Sequence, residues 1–353
     1  MQKNKTRLTA AEIASLWTSY MNDSMAKCIL GFMLKDLDDK EIKGVVQYAY
    51  NLTTTHLKKL VKFFQQNEMP VPNGFSDNDV IMSAPWLFSD MFCLTYINHM
   101  ARTGLISYGG FLSMSSREDM CEYFTNGLHE TSVLYNKSTR IALSKGLLAR
   151  HPYIETPDVT EYIDSKNYLS GLNPLANKRP LNAIEISHLY MNVMTNAMGV
   201  NLSLSFAQTS STKEVSDFML RGAEIANKHI KIFSDILLQN DIPTPRLPDV
   251  SVSNSVTQTF SDKLIMFHMS LISAAGTGNY ATAAAASQRS DLAMNYERLS
   301  IEIAKYAKTG ADIMIKHHWM EKPPGTKDRK NWPRIKTDHN GKRSSHALFR
   351  FGS

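Results

Sequence analysis

Cysteine is scarce: Cys28, Cys93 and Cys121 are the only three in 353 residues. None recurs in the internal repeat described below, which argues against a disulfide framework or thiolate metal site and for free thiols on helical segments. Long apolar runs are missing as well. No window approaches 18 uninterrupted apolar residues, and the opening MQKNKTRLTAAEIASLW holds no apolar signal core. These absences predict a soluble, cytoplasmic chain in a reducing compartment, with no membrane partner. A phosphate-cradling glycine loop is absent, because Ser107-Tyr108-Gly109-Gly110 is too short and is not repeated. No local motif presents a nucleophilic Ser or Cys, and no alternating β-branched run supports a sheet.

Net charge is also scarce over most of the chain. The formal +6 comes from residues 322–353, where nine Lys/Arg stand against Asp328 and Asp338. Removing them from the 39 bases and 33 acids of the whole leaves 30 bases and 31 acids over residues 1–321. The segment 323–353 follows Pro323-Pro324-Gly325 and lacks helical periodicity, so a flexible basic tail is expected. Its functional reading is electrostatic contact with nucleic acid or another polyanion through Lys327, Arg329, Lys330, Arg334, Lys336, Lys342 and Arg343.

What is present is a repeat. Residues 8–72 align without gaps on 181–245 at an offset of 173, with 15 identities in 65 positions, where chance gives about four. A second block matches at offset 172: Phe88-Ser89-Asp90 on Phe260-Ser261-Asp262, then Gly104/Gly276, Tyr108/Tyr280, Arg117/Arg289, Asp119/Asp291 and Glu130/Glu302. Two copies of one unit therefore make up nearly the whole protein.

Each copy reads as four helices. Ile42, Val45, Val46, Ala49, Leu52, His56, Leu60 and Phe63 form a 3.6-residue stripe, and Val215, Phe218, Met219, Ile225, His229, Phe233 and Ile236 repeat it. Capping-box spacings occur at Thr9/Glu12, Asn182/Glu185, Asp38/Glu41 and Ser211/Glu214. Pro70 and Pro72, or Pro243 and Pro245, end the second helix. Helical pattern resumes near residues 85–86 and 259–260, with Gly104 and Gly276 as soft spots, and Ser115 or Ser287 is read as the cap of the fourth helix. A short link, a long link and a short link predict an all-α protein of two tandem ferritin-like four-helix bundles, with the long crossover between helices two and three. The expected boundaries are 1–150 for the first bundle, 151–180 for a linker with a short helix near 158–168, and 181–322 for the second bundle.

The stretches KRPLNAIEISHLY (178–190), FSDKLIMFH (260–268), SQRSDL (287–292) and IMIKHHWMEKPP (313–324) resemble domain of unknown function family 3231. These are tandem ferritin-like proteins of spore-forming bacilli, distantly similar to ferritin-like spore coat proteins. The resemblance spans about residues 8–330. It implies paired ferritin-like bundles and a link to sporulation, and it brings no catalytic residues with it.

Ferritin-like bundles often hold two iron or manganese ions, which needs a carboxylate from two helices and Glu-x-x-His from the other two. One such pair exists, Glu185-Ile-Ser-His188, and the first copy has Ser15 in place of the histidine. Thr53 and Ala226 stand three residues before His56 and His229, and Val133 and Lys305 stand three residues after Glu130 and Glu302. The weak metal candidates are thus His56, His229, Glu185 and His188. The competing reading makes both helix-two histidines core residues bonded to a neighbouring helix, both glutamates capping residues, and Arg117/Asp119 and Arg289/Asp291 ties at the start of helix four. The resulting expectation is a non-enzymatic structural or interaction protein of sporulation or the spore coat, self-associating or bound to coat proteins, with no cofactor. A metal-binding oxidoreductase or storage protein with a non-standard iron or manganese site is one alternative. A scaffold tethered to a polyanion by its tail is the other.

Overall fold

The structure is a computed structural model that describes residues 6–148, 150–173, 178–245 and 252–326. The described residues form eight α-helices: α1 (Ala10–Lys35), α2 (Lys40–Gln66), α3 (Asp90–Ser113), α4 (Glu118–Ser144), α5 (Ala183–Thr209), α6 (Lys213–Leu238), α7 (Asp262–Ala286) and α8 (Ser290–Lys316). They make two four-helix bundles, α1–α4 and α5–α8, each with its long connection after the second helix. None of the helices is long and apolar enough to cross a membrane. The basic residues Lys327 to Arg343 lie outside the described residues.

Local signals set the helix ends. Thr9 and Asn182 form full capping boxes with Glu12 and Glu185. The caps of α2 and α6 fall one residue later than the sequence suggests, at Asp39 and Thr212. The reason lies on helix three: Asp90 accepts the N–H groups of Asp38 and Asp39, and Asp262 accepts Ser211 N–H and the Ser211 and Thr212 hydroxyls. With Asp38 and Ser211 held by those carboxylates, the next residue takes the cap.

Two further expectations are corrected. Ser115 and Ser287 do not cap helix four; its N-cap residues are Arg117 and Arg289, which provide no side-chain cap. The acceptor comes from helix one. Glu12 Oε1 takes the N–H groups of Ser116 and Arg117 at 3.0 and 2.8 Å, and Glu185 Oε1 takes those of Gln288 and Arg289 at 3.2 and 2.9 Å. One carboxylate thus caps two helices in each bundle. Nor do Gly104 and Gly276 soften helix three. Both sit inside unbroken helices, and a Cβ at Gly104 would come within 2.8 Å of Thr131 on α4. The glycine permits a close helix approach.

The C-terminal ends of the second and fourth helices close alike. Glu68, Asp241, Gly146 and His318 take φ between 54° and 68°. The next residue in each case donates its N–H five residues back: Met69 to Phe64, Ile242 to Leu237, Leu147 to Ala142 and Trp319 to Met314. This is the Schellman closure.

The bundles share a core. Phe32, Phe92 and Tyr96 of the first copy pack in one cluster with Phe206, Phe260 and Leu264 of the second. The crossovers cover its edge, pairing with each other at isolated antiparallel bridges, Val80 with Phe260 and Phe88 with Val252. Val80 and Val252 are counterparts at offset 172, and so are Phe88 and Phe260. The flanking bonds, Ile81 N–H to Thr259 and Ser253 N–H to Leu87, obey the same exchange. The two copies therefore meet about a pseudo-two-fold axis, as in an isologous dimer. Near that axis Tyr96 hydrogen-bonds at 3.2 Å to Nε2 of its own counterpart, His268. Burial holds His268 down to about 3. Smaller clusters fill the far ends, Leu16, Leu60, Phe64 and Phe124 in one copy and Leu189, Phe233, Leu237 and Tyr296 in the other.

The segment 150–165 is irregular, with a bend at Asp158 and Val159, and is exposed apart from Pro152. A 3-10 turn at Lys166–Leu169 replaces the expected helix over 158–168. The β-branched Val159 and Thr160 disfavour a helix there, and no apolar stripe gives one a face to bury.

Candidate functional site

Each bundle carries a polar crossing in its interior, with a residue from all four helices. In the first copy these are Asp23 (α1), His56 (α2), Tyr108 (α3) and Glu130 (α4). In the second they are Asn196 (α5), His229 (α6), Tyr280 (α7) and Glu302 (α8).

The histidine is the hub. His56 Nε2 lies 2.7 Å from Glu130 Oε2, and its Nδ1 lies 3.0 Å from the Tyr108 hydroxyl. His229 repeats this, with Nε2 3.2 Å from Glu302 and Nδ1 2.9 Å from Tyr280. A buried imidazole needs partners for its ring nitrogens, and these fix the register of α2 and α6 against the opposite pair of helices. Burial lowers the His229 pKa, opposed by its bond to Glu302. The bond to His56 holds the Glu130 carboxyl below its usual range, and Glu302 is also lowered, as its bonds to Lys228 and His229 outweigh burial.

The copies differ at helix one. Asn196 donates to the Tyr280 hydroxyl at 2.8 Å. Its counterpart Asp23 sits 3.7 Å from His56 Nδ1, and its Oδ2 is buried without a hydrogen bond. Burial drives its pKa up to about 7, with His56 opposing and Glu130 adding to the rise. The second bundle also has a small half-open pocket of about 60 Å³ beside His229 and Tyr280, lined by Gly199, Gly222, Ala226 and Gly276.

These residues do not fit a di-metal centre. The second crossing has one carboxylate, and in both crossings the histidine partners lie on opposite edges of the ring. A carboxylate at Nε2 and a phenol at Nδ1 cannot converge with the imidazole on one ion. Among the described residues no group of three or more His, Cys, Asp or Glu side chains could hold a metal.

Glu185 and His188 lie away from the crossing. Glu185 is fully buried, accepts both terminal nitrogens of Arg179 at 2.8 Å and caps two helices. Burial works against its ionisation, yet these bonds hold its pKa below the ordinary value. Burial lowers His188, whose Nδ1 has no hydrogen-bond partner. At the same end Arg289 clamps Asp291 through two nitrogens and reaches Asn240, as Arg117 clamps Asp119 and reaches Asn67. Both arginines thus tie helix four to the end of helix two. Asp90 and Asp262 open helix three as their sequence position suggests.

Sequence reasoning on the histidines passed over their partners. Tyr108/Tyr280 and Glu130/Glu302 are identities of the repeat in polar or amphipathic residue types, and that was the available signal. Asp23/Asn196, aligned at offset 173 but not identical, gave none.

No curated protein matches the chain. A solved structure of a candidate spore coat protein from Bacillus halodurans C-125 is similar at 18% identity, over 42% of this chain and 98% of that one, with a TM-score of 0.40. The model of the family described as protein of unknown function DUF3231 matches residues 1–159 and again residues 170–331. Those two matches span nearly the whole length in tandem, and the chain belongs to the DUF3231 family.

Proposed function

We propose that the protein is a non-catalytic packing and interaction module: two ferritin-like bundles, without a metal cofactor, that associate with copies of themselves or with coat proteins of the sporulating cell. The observation that supports this most is the engagement of both histidine hubs. Each ring nitrogen of His56 and His229 faces a Tyr or Glu of its own bundle, so neither ring has a nitrogen free for a substrate or ion. The shared core supports the same reading, because it joins the bundles into one compact unit. The spore assignment rests on the family resemblance.

Two measurements test the proposal. Elemental analysis after aerobic iron or manganese loading and desalting is expected to find no stoichiometric metal. Retained metal that disappears in His56→Ala or His229→Ala would move the reading to an oxidoreductase or storage protein. A fluorescent fusion is expected to join the forming spore layers, and uniform fluorescence through sporulation would refute the spore assignment.

A further inference from the structure

Between the bundles, residues 153–164 read Tyr-Ile-Glu-Thr-Pro-Asp-Val-Thr-Glu-Tyr-Ile-Asp. The tetrad Tyr153-Ile154-Glu155-Thr156 returns as Tyr162-Ile163-Asp164-Ser165. The side chains are out in solvent: Tyr153 is 85% exposed, Val159 66% and Tyr162 97%. Among the described residues the backbone of 151–164 makes no hydrogen bond, and Glu155, Asp158, Glu161 and Asp164 form no ion pair. Tyr153 receives one bond at 3.4 Å from its neighbour Arg150.

This composition is not that of an ordinary solvated linker. A linker with nothing to bind is expected to be rich in Gly, Ser or Pro and poor in aromatic and β-branched residues. Here large apolar groups alternate with four carboxylates and no base, on an irregular backbone whose N–H and C=O groups are open to pairing. A matching segment must be cationic and studded with apolar side chains. The chain supplies one in residues 329–336, Arg-Lys-Asn-Trp-Pro-Arg-Ile-Lys, which holds four bases and no acid around Trp332 and Ile335.

We propose that the acidic segment 153–164 of one copy is the docking site for the basic segment 329–336 of a second copy. The contact joins unlike surfaces, so it leaves one acidic and one basic segment unused at the ends and propagates head to tail. The inference rests on the proposed function, whose self-association it specifies.

The test is sedimentation equilibrium of the full chain over a concentration series at low and high salt. The average mass is expected to exceed the monomer, rise with concentration and fall as salt screens the contact. Reversing the acidic segment (Glu155→Lys, Asp158→Lys, Glu161→Lys, Asp164→Lys) is expected to weaken association about tenfold or more. Reversing the basic segment (Arg329→Glu, Lys330→Glu, Arg334→Glu, Lys336→Glu) is expected to do the same. An equimolar mixture of the two reversed chains is expected to recover it. Tyr153→Ser with Tyr162→Ser is expected to weaken association with its salt dependence kept. A wild-type monomer at every concentration overturns the inference, as does wild-type association in either reversed chain or no recovery on mixing. A wild-type monomer that still enters the spore layers removes this contact and leaves the proposed function. Self-association without spore localisation does the reverse.

Discussion

Replacing Asp23 by asparagine gives the first crossing the residue that the second already has at Asn196. Burial raises the Asp23 pKa from 3.8 to about 7. The groups facing it are His56 on α2, Tyr108 on α3, and Tyr123 and Glu130 on α4. A raised acid favours the protonated form in the folded state, so between the two pKa values the folded chain binds more protons than the unfolded chain. Stability from this group is then full below about pH 4 and lost as pH rises toward 7. At 1.36 kcal/mol per tenfold the loss amounts to about 4 kcal/mol at most. Asparagine carries no such charge and can donate to Tyr108, as Asn196 does to Tyr280. Asp23→Asn is thus expected to match the wild type within about 1 kcal/mol near pH 4 and to exceed it by about 2–4 kcal/mol near pH 8. The assay is urea unfolding of both proteins across that range, taking the difference at each pH so that other carboxylates cancel. A difference independent of pH, or a wild type more stable at pH 8, would refute the reasoning.

Three other perturbations follow from the same structure. His229→Ala removes a fully buried hub, leaves a cavity and takes one hydrogen bond each from Tyr280 and Glu302, so a loss of about 2–4 kcal/mol is expected in chemical unfolding. Glu12→Ala leaves the N–H groups of Thr9, Ser116 and Arg117 without their acceptor, and about 2–3 kcal/mol of destabilisation is expected, read by calorimetry. Conversely, Glu68→Gly or His318→Gly relieves a left-handed backbone at an exposed helix end, and each is expected to raise stability by about 1 kcal/mol, seen as a higher Tm.

The helices were legible because each stripe spans many turns, as from Ile42 to Phe63, and because Thr9 and Asn182 carry their own capping partners. The start of helix four was misread at Ser115 and Ser287, since its cap arrives from Glu12 and Glu185, more than a hundred residues away. No local pattern encodes a donated cap. The crossovers looked patternless for a similar reason: their partners at Val80 and Phe260 belong to the other copy, and such pairing leaves no periodicity. In the candidate site the two histidines stood out on apolar stripes. Asp23 was hidden because its importance lies in a difference between the copies, whereas a repeat draws attention to what is shared.

Tyr96 meeting His268 bears on how such a molecule can change. In an assembly of two identical chains, any side chain on the symmetry axis confronts its own image, so only self-compatible residues survive there. Tyrosine would face tyrosine, and histidine would face histidine. Covalent duplication lifts that restriction. Each side of the axis can mutate independently, and a hydroxyl can be set against an imidazole with one giving and the other receiving. The two halves thereby lose interchangeability: a chain built from two first halves would place two phenols at the centre, and one built from two second halves would place two imidazoles there.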